Sequence, residues 1–435
     1  MSIDGRMLPR LLLGVSPAGT IGLGEHLGLH GELPDPGRGR GGAALIESVE
    51  RAGLRGRGGA GFPTALKLRA AAAAGGARRR AIVVANGAEG EPASLKDRAL
   101  TAGAPHLVLD GALVAAEAIG ARELIVCLPR SAQASATAMT QAIGERRRDP
   151  RRSVATRLEL VPDTYLAGQE SALVNHLGGG PAIPTLTPPF PTERGIGRRP
   201  TLVSNVETLA HLALIARHGS GWFRELGTRA QPGSTLVTLG GDVACPGVYE
   251  IAPGSRLEDL LDAAGGALSP IRAFLVGGYS GTWLSSETDV VLSAEQLAPL
   301  GATLGAGVIF ALAADACPVA ESTRIVRWLA DESAGQCGPC LHGLEAMATA
   351  MEQVAAGEAP PGTGERLSRW QALVAGRGAC GHPDGTVRFL RSALGVFAAE
   401  FADHAAHGRC ADCAQPSSLP FPGGGRRATE KPVLR

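Results

Sequence analysis

Along the first half of the chain, short unbroken apolar runs alternate with segments whose apolar residues recur at helical spacing. AALIESVERAGL (43–54) reads as an amphipathic helix and ALKLRAAAAA (65–74) as a second, with a glycine-rich loop, RGRGGAGFPT (55–64), between them. AIVVANG (81–87) predicts a buried strand that ends in a loop. A helix near 105–119, the strand ELIVCLP (123–129), a helix near 132–147 and the strand RLELVPD (157–163) follow, and LAGQESALVNHLGG (166–179) reads as another loop-to-helix entry. Strand and helix alternate, which predicts an α/β layer with a largely parallel sheet.

The pattern then changes. Pro and Gly crowd residues 178–200 (GGGPAIPTLTPPFPTERGIGRRP), predicting a long ordered loop or lid. Within 231–310, TLVTLGGDVACPGVYEI predicts two strands joined by a turn, SRLEDLLDAAGG a helix and AFLVGG a strand, a ββαβ order that suits a small β-grasp-like module. After 320 the signals are helical: ESTRIVRWLADES, HGLEAMATAMEQVAAGE, GERLSRWQALVAG and DGTVRFLRSALGVFAAEFADHAAHG predict a bundle. QPSSLPFPGGGRRATEKPVLR, at the end, is expected to be disordered. The expected domains are therefore 1–230, 231–318 and 319–410, with a disordered tail over 411–435.

Composition changes this picture little. The chain has 435 residues, long enough for several domains, and its 44% hydrophobic and 19% charged residues are ordinary for a globular protein. A net charge of +1 gives no global attraction to nucleic acid or to an anionic membrane. The best apolar run, GAGVIFALAADAC (305–317), is broken by Asp315 and falls short of the roughly 18–20 residues of a membrane span. The N-terminal apolar stretch is too short for a signal-peptide core. A cytoplasmic protein with reduced thiols is expected, so clustered cysteines among the eight point to metal before disulfide. Cys127, inside ELIVCLP, is expected to be a core thiol.

Two constellations carry candidate chemistry. Gly56, Gly58 and Gly61 match G-x-G-x-x-G, but a helix-like segment precedes the loop where a dinucleotide fingerprint needs a strand. The loop still lets backbone approach a ligand, and amides at the following helix start attract anions, with Pro63 in the first turn and Lys67 adding a point charge. The second constellation, NGAEGEPASLKDR (86–98), stands where strand AIVVANG stops, and ligands of open α/β sheets bind beyond the carboxyl ends of strands. Asn86 can donate and accept there, close to Glu89 and Glu91.

RGRGGAGFPTALK, NGAEGEPASLKDR, YLAGQESAL, SNVETLA and ESAGQCGPCLHG occur in order, and together they resemble the NADH-oxidising flavoprotein (51 kDa, or F) subunit of respiratory complex I and its relatives in soluble hydrogenases and formate dehydrogenases. The resemblance covers roughly residues 40–405. It implies a Rossmann-like FMN-binding α/β domain that also takes NADH, a β-grasp soluble-ligand-binding (SLBB-like) domain and a helical iron–sulfur domain. It also implies NADH oxidation by hydride transfer to FMN, then single electrons leaving through a [4Fe–4S] cluster. The implied cofactor-binding residues are Gly56, Arg57, Gly58, Gly59, Phe62, Lys67, Asn86, Gly168, Phe190, Asn205 and Thr208, with Phe62 and Phe190 sandwiching the adenine of NADH. Glu89, Glu91 and Glu170 are the implied catalytic carboxylates. The implied partner is a ferredoxin-like or two-iron (24 kDa or E-like) electron carrier, with possible peripheral association to a membrane complex.

Departures from the family pattern cluster around the redox centre. A family aromatic is replaced by Ala70, a flavin-contacting aspartate by Ala88 and one glutamate by Gln169. Losing two acids beside an electron-accepting ring is expected to raise its potential. Cys337, Cys340 and Cys380 match three of the family's four cluster ligands, while Ala334 stands in place of the first. His382, Cys317, Cys410, Cys413, water or an exogenous thiol could complete the set, and Cys410–Cys413 alone could be half of a zinc site. Two other functions remain open: an FMN or iron–sulfur relay that does not use NADH, and a non-catalytic assembly or ligand-binding paralogue.

Overall fold

The computed structural model describes residues 8–16, 19–34, 41–76, 80–147 and 154–421, so the part of the expected disordered tail from 422 onward lies outside the described residues. Helices α1 (Leu23–His30), α2 (Gly42–Ala52) and α3 (Thr64–Ala74) precede strand β1 (Ile82–Asn86). Helices α4 (Lys96–Gly103) and α5 (Pro105–Ile119) lead to β2 (Glu123–Pro129), and α6 (Gln133–Arg146) leads to β3 (Ala155–Val161). Helix α7 (Glu170–Leu177) and the single turn α8 (Pro191–Arg194) lead to β4 (Thr201–Asn205) and the long α9 (Val206–Phe223). The four strands pair in parallel in the order β3-β2-β1-β4.

Both faces of this sheet are covered, which is why β1 and β2 are almost continuously apolar. Val83, Ala85, Leu124 and Val126 face the helices α2, α3, α5 and α9, while Ile82, Val84, Ile125 and Cys127 join Leu173 and Val203 on the other side. Cys127 is fully buried there, as expected. Helices α5 and α9 run against each other with no room to spare: a Cβ on Gly111 would lie 1.7 Å from the carbonyl oxygen of Leu209.

A second, mixed sheet follows, built from β5 (Thr235–Gly241), β6 (Gly247–Ile251), helix α10 (Leu257–Ala263), β7 (Ile271–Val276), β8 (Thr282–Ser285), the turn α11 (Ala294–Leu297) and β9 (Val308–Ala313). Its order is β6-β5-β9-β7-β8, with β5 parallel to β9 and the other pairs antiparallel. The expected ββαβ unit is present, and two further strands complete the sheet. The apolar run beginning at Gly305 is its central strand β9, covered on both sides. Among the described residues no single helix is long and apolar enough to cross a membrane.

The helical region comprises α12 (Pro318–Asp331), a π-type turn at Pro339–Leu344, α13 (Glu345–Ala356), α14 (Thr363–Val374), α15 (His382–Val396) and α16 (Ala398–His407). The last expected helix is thus two, divided at Phe397, whose fully buried ring packs against Trp283 of β8. The expectation of disorder from 411 is corrected over 411–421. Ala411–Ala414 form a 3-10 turn, Leu419 is buried, and the Tyr279 hydroxyl donates to the Pro420 carbonyl at 2.7 Å. Glu321 of α12 holds this segment by accepting from the Ser417 hydroxyl and the Ser418 amide. A stretch poor in regular structure is ordered because its few apolar and polar groups all find partners on the body of the protein.

Because the α5–α9 contact admits no methyl group, Gly111→Ala is expected to destabilise the chain by about 1–3 kcal/mol through overpacking. Denaturant unfolding measures this, and an unchanged midpoint would show that the two helices can move apart at no cost.

Candidate functional site

The strand order reverses direction at β1: the chain moves outward through β2 and β3, then returns to place β4 on the other side of β1. A crevice beyond the carboxyl ends of β1 and β4 is therefore the expected ligand site of this sheet. Asn86 and Asn205, paired in register, are the last residues of those two strands. A cavity of about 450 Å³ opens there. Its lining includes Gly58, Gly59, Asn86, Ala88, Glu89 and Glu91, then Tyr165, Gly168 and Gln169, and from the helical region Cys380, His382 and Arg388.

Backbone geometry shapes the near wall. Gly59, in the lining, has φ +98°, a backbone conformation that glycine adopts at no steric cost. A Cβ on Gly168 would fall 2.0 Å from the Ala88 carbonyl oxygen, so the YLAG turn can touch the NGAEGE loop only without a side chain. The Asn86 amide clamps the same contact, donating to the Gly168 carbonyl at 2.8 Å and accepting from the Ala88 amide at 3.1 Å.

Of the two acids in this loop, Glu91 is buried and Glu89 half-buried. Glu91 accepts from the Tyr279 amide at 2.9 Å, and the carboxyl of Glu89 accepts from the Glu91 amide at 3.2 Å. Burial pushes Glu91 up to about 8, against the opposing pull of its amide donors and with Glu89 adding to the rise. Burial, with the charge of Asp97, pushes Glu89 up to about 7 despite the nearby Lys96 ammonium. Glu91 therefore keeps its proton over most of the neutral range and can donate as well as accept, while Glu89 titrates within that range.

Lys96 and Asp97, which stand inside the SLKDR stretch, also line the cavity. Lys96 Nζ lies 2.8 Å from Asp97 Oδ1 and 3.0 Å from Glu207 Oε2, with all three side chains almost wholly buried. Asn205 Nδ2 donates to Asp97 at 2.6 Å. Ser280 and Arg388, from the second sheet and from α15, had no sequence signal at all. Arg388 donates to the Ser280 carbonyl, and the Tyr165 hydroxyl and Ser280 hydroxyl are 2.7 Å apart.

Other expected residues are placed differently. Arg57 is half-buried and outside the cavity lining: its amide donates to Thr208 Oγ1 at 2.8 Å and its guanidinium to the Pro232 carbonyl at 3.1 Å. Gly56 closes the glycine loop by donating to the Phe62 carbonyl at 2.8 Å. Lys67 and Glu170 form an ion pair at 2.9 Å between α3 and α7, outside the lining. Gln169 lines the cavity, but its Oε1 accepts from the Ala172 amide at 2.9 Å and so caps α7. Phe62 and Phe190 are 52% and 55% exposed, two aromatic rings without a full packing partner.

Cys337 and Cys340 stand at the start of the π-type turn, and Cys380 stands just before α15. Burial works against ionisation of Cys337, yet hydrogen bonds from the Ala379 and Cys340 amides leave its thiol lowered. Burial pushes Cys340 up to about 12, with Cys337 and Cys380 adding to the rise and the Ala334 amide opposing it. Cys380 is raised, also by burial, although the His382 amide bonds to it. Three sulfurs within electrostatic reach of one another, each met by backbone N–H groups, fit an iron–sulfur cluster. At the fourth position Ala334 contributes only its amide. Of the possible substitutes, Cys317, Cys410 and Cys413 gather elsewhere, around His404. His382 Nε2 donates to the Leu329 carbonyl at 2.7 Å, while its buried Nδ1 has no hydrogen-bond partner.

Three family models match successive parts of the chain. They are the Nuo51 FMN-binding domain over residues 49–214, the SLBB domain over 236–275, and the NADH-ubiquinone oxidoreductase-F iron–sulfur binding region over 320–404. The second F-type subunit of NADH-quinone oxidoreductase in Rhizobium meliloti (strain 1021) is 34% identical over 379 residues, covering 84% of this chain and 90% of the relative. The alpha subunit of the NAD-reducing hydrogenase HoxS of Cupriavidus necator is 34% identical over 349 residues, covering 78% of this chain and 56% of the relative. Among solved structures, an NAD+-reducing [NiFe]-hydrogenase in the H2-reduced state superimposes with a TM-score of 0.75 at 34% identity. That match covers 86% of this chain and 63% of the hydrogenase chain, so this chain spans less than two thirds of that hydrogenase chain's length.

The raised carboxyls imply a pH dependence. An unfolded carboxyl titrates near its ordinary 4.5, whereas Glu91 in the fold holds its proton to about 8. The stability present below pH 4.5 is therefore lost as pH rises through that window, because the unfolded chain releases a proton that the fold retains. In the flavin-free protein, Glu91→Gln is expected to flatten the melting temperature between pH 5 and 8, measured by calorimetry. An unchanged slope would mean that Glu91 is already ionised in the fold.

Proposed function

The chain belongs to the family of the flavin-bearing F-type subunits of NADH-quinone oxidoreductase, and from that premise we infer that it oxidises NADH on a bound FMN and passes the electrons singly to an iron–sulfur cluster. The observation that carries this reading is the single cavity that runs from Gly58 and Gly59 to Cys380. When bound, FMN supplies the exchange between a hydride pair and single electrons.

The chain's own residues would bind and orient. The glycine turn offers bare backbone to the flavin side, and Asn86 and Asn205 fix the loops at the strand ends. Protonated Glu91 offers hydrogen bonds without adding negative charge, and Glu89 can gain or lose a proton near neutrality. Lys96 keeps one positive charge in its floor, outweighed by the carboxylates of Asp97 and Glu207. Phe62 and Phe190 leave aromatic faces free, which suits stacking on a nucleotide base.

Tyr165 links the two redox sites. Its ring packs edge-on against Trp328 of α12 at 5.1 Å and lies 5.4 Å from that of His382, while its amide donates to Glu332 at 2.8 Å. Glu170 is assigned a positioning role toward Lys67 rather than contact with the flavin. The cluster would be held by Cys337, Cys340 and Cys380. A ferredoxin-like or two-iron carrier is the proposed acceptor, in the cytoplasm.

A relay that does not use NADH is the second reading, favoured by the neutral Ala88 and Gln169. Anaerobic purification separates the two. The first reading expects flavin absorbance at about one FMN per chain that bleaches on adding NADH, and a broad iron–sulfur absorbance lost in Cys380→Ser. Flavin that stays oxidised under excess NADH would overturn it in favour of the relay. A colourless, folded protein would overturn both.

A further inference from the structure

Four side chains that the flavin and iron–sulfur readings do not use converge at the other end of α12. Cys317 caps the N-terminus of that helix, its sulfur accepting from the Ala320 amide at 3.3 Å. His404 comes from the last turn of α16, and Cys410 and Cys413 come from the ordered segment that follows it. Ala334 and Cys337 lie beyond the opposite end of α12, and its 14 residues separate the two groups by roughly 20 Å of helix.

The spacing of the donor atoms is specific. Cys410 Sγ is 3.5 Å from Cys413 Sγ, which is 3.4 Å from Cys317 Sγ. His404 Nε2 is 3.6 Å from Cys317 Sγ and 3.8 Å from Cys413 Sγ. All four donor atoms lie within 4.8 Å of one another. A tetrahedral zinc with Zn–S of about 2.3 Å and Zn–N of about 2.0 Å has edges of about 3.5–3.8 Å between its ligands, so the four distances above are close to the edges of a tetrahedron around one ion, and the other two donor pairs lie within 4.8 Å. They are too long for a disulfide, whose sulfurs stand about 2.05 Å apart, and all of these cysteines are free.

Burial and chemistry agree with the geometry. Cys317 is 4% and His404 2% exposed, while Cys410 and Cys413 close the site from the outside. The imidazole turns Nε2 toward the sulfurs, and its buried Nδ1 has no hydrogen-bond partner, so the only polar contacts that orient the ring are those to Cys317 and Cys413. Three sulfurs and one nitrogen leave no open position, the arrangement of a structural rather than a catalytic zinc.

We propose that Cys317, His404, Cys410 and Cys413 bind one Zn²⁺ ion that fastens the C-terminal segment to the helical region, at a site separate from the iron–sulfur cluster. Each ligand belongs to a different element or to the far side of a turn, so the ion would cross-link α12, α16 and the 410–421 segment. That segment in turn meets the second sheet through Tyr279, whose ring lies 5.2 Å from that of Phe421.

Full-length protein purified anaerobically and analysed for metals tests this. The proposal expects about one zinc per chain, retained in Cys337→Ser/Cys340→Ser, where iron falls. It expects at least a tenfold loss of zinc in Cys410→Ser/Cys413→Ser, with iron kept. Zinc-edge X-ray absorption on the unmutated protein is expected to show three sulfurs near 2.3 Å and one nitrogen near 2.0 Å, and it decides the matter even if the variants aggregate. Less than a tenth of a zinc per chain, an oxygen-dominated shell, or zinc unaffected by the Cys410/Cys413 change would overturn it.

Discussion

Among the described residues Lys96 is the largest charged side chain that is fully enclosed, and it holds the junction between the parallel sheet and the second sheet. Burial alone would strip its charge, but Asp97, Glu207 and the more distant Glu89 more than reverse that and keep the ammonium ionised. Each carboxylate is itself committed elsewhere. Asp97 accepts from Asn205 at the end of β4, and Glu207 accepts from Thr235 Oγ1 at 3.0 Å and the Leu236 amide at 2.9 Å at the start of β5. Removing Lys96 would leave both carboxylates buried without a cation, at a cost of about 3–5 kcal/mol. One cation therefore fixes how the strand ends, the start of α9 and the β-grasp sheet meet, and the cavity floor is built on that junction.

The same principle of shared partners runs through the rest of the cavity. Glu91 belongs to the first sheet's loop but accepts from Tyr279 of the second. Tyr165 belongs to the first domain but packs against α12 and reaches Ser280. Arg388 of α15 donates back to Ser280. A flavin and a cluster can cooperate only if the spacing between them is stiff, and here three domains contribute to one wall. Buried Glu91 adds a second property. Held protonated up to about 8 by burial, it puts a hydrogen-bonding carboxyl in the cavity wall without a further negative charge.

Much of the first domain was legible along the chain because both periodicities were clean. Unbroken apolar runs such as IVVAN and LIVCL mark strands covered on both sides, and the parallel order followed from their alternation with helices. Asn86, Glu89, Glu91, Gly58, Gly59 and Gly168 could be named because their loops resemble a known pattern. Arg57, Lys67 and Glu170 were legible as residues but not as geometry. Whether a long cation faces a cavity or pairs with a carboxylate depends on partners far away in sequence. Ser280 and Arg388 left no trace, since a serine and an arginine have no spacing rule that ties them to a flavin-type cavity.

The cysteines show the boundary most clearly. The sequence by itself determined the two C-x-x-C pairs, the isolated Cys380, the loss of a thiol at 334 and the family to which the motifs point, because those are local spacings. Only the tertiary structure decided which sulfurs share a site. Folding α16 back along α12 brings His404 and Cys413 to Cys317 across almost a hundred residues, while Cys337, Cys340 and Cys380 meet at the other end of that helix. Ligand geometry is set within a few ångströms by the packing of helices, whereas spacing along the chain limits only how far apart two residues can be.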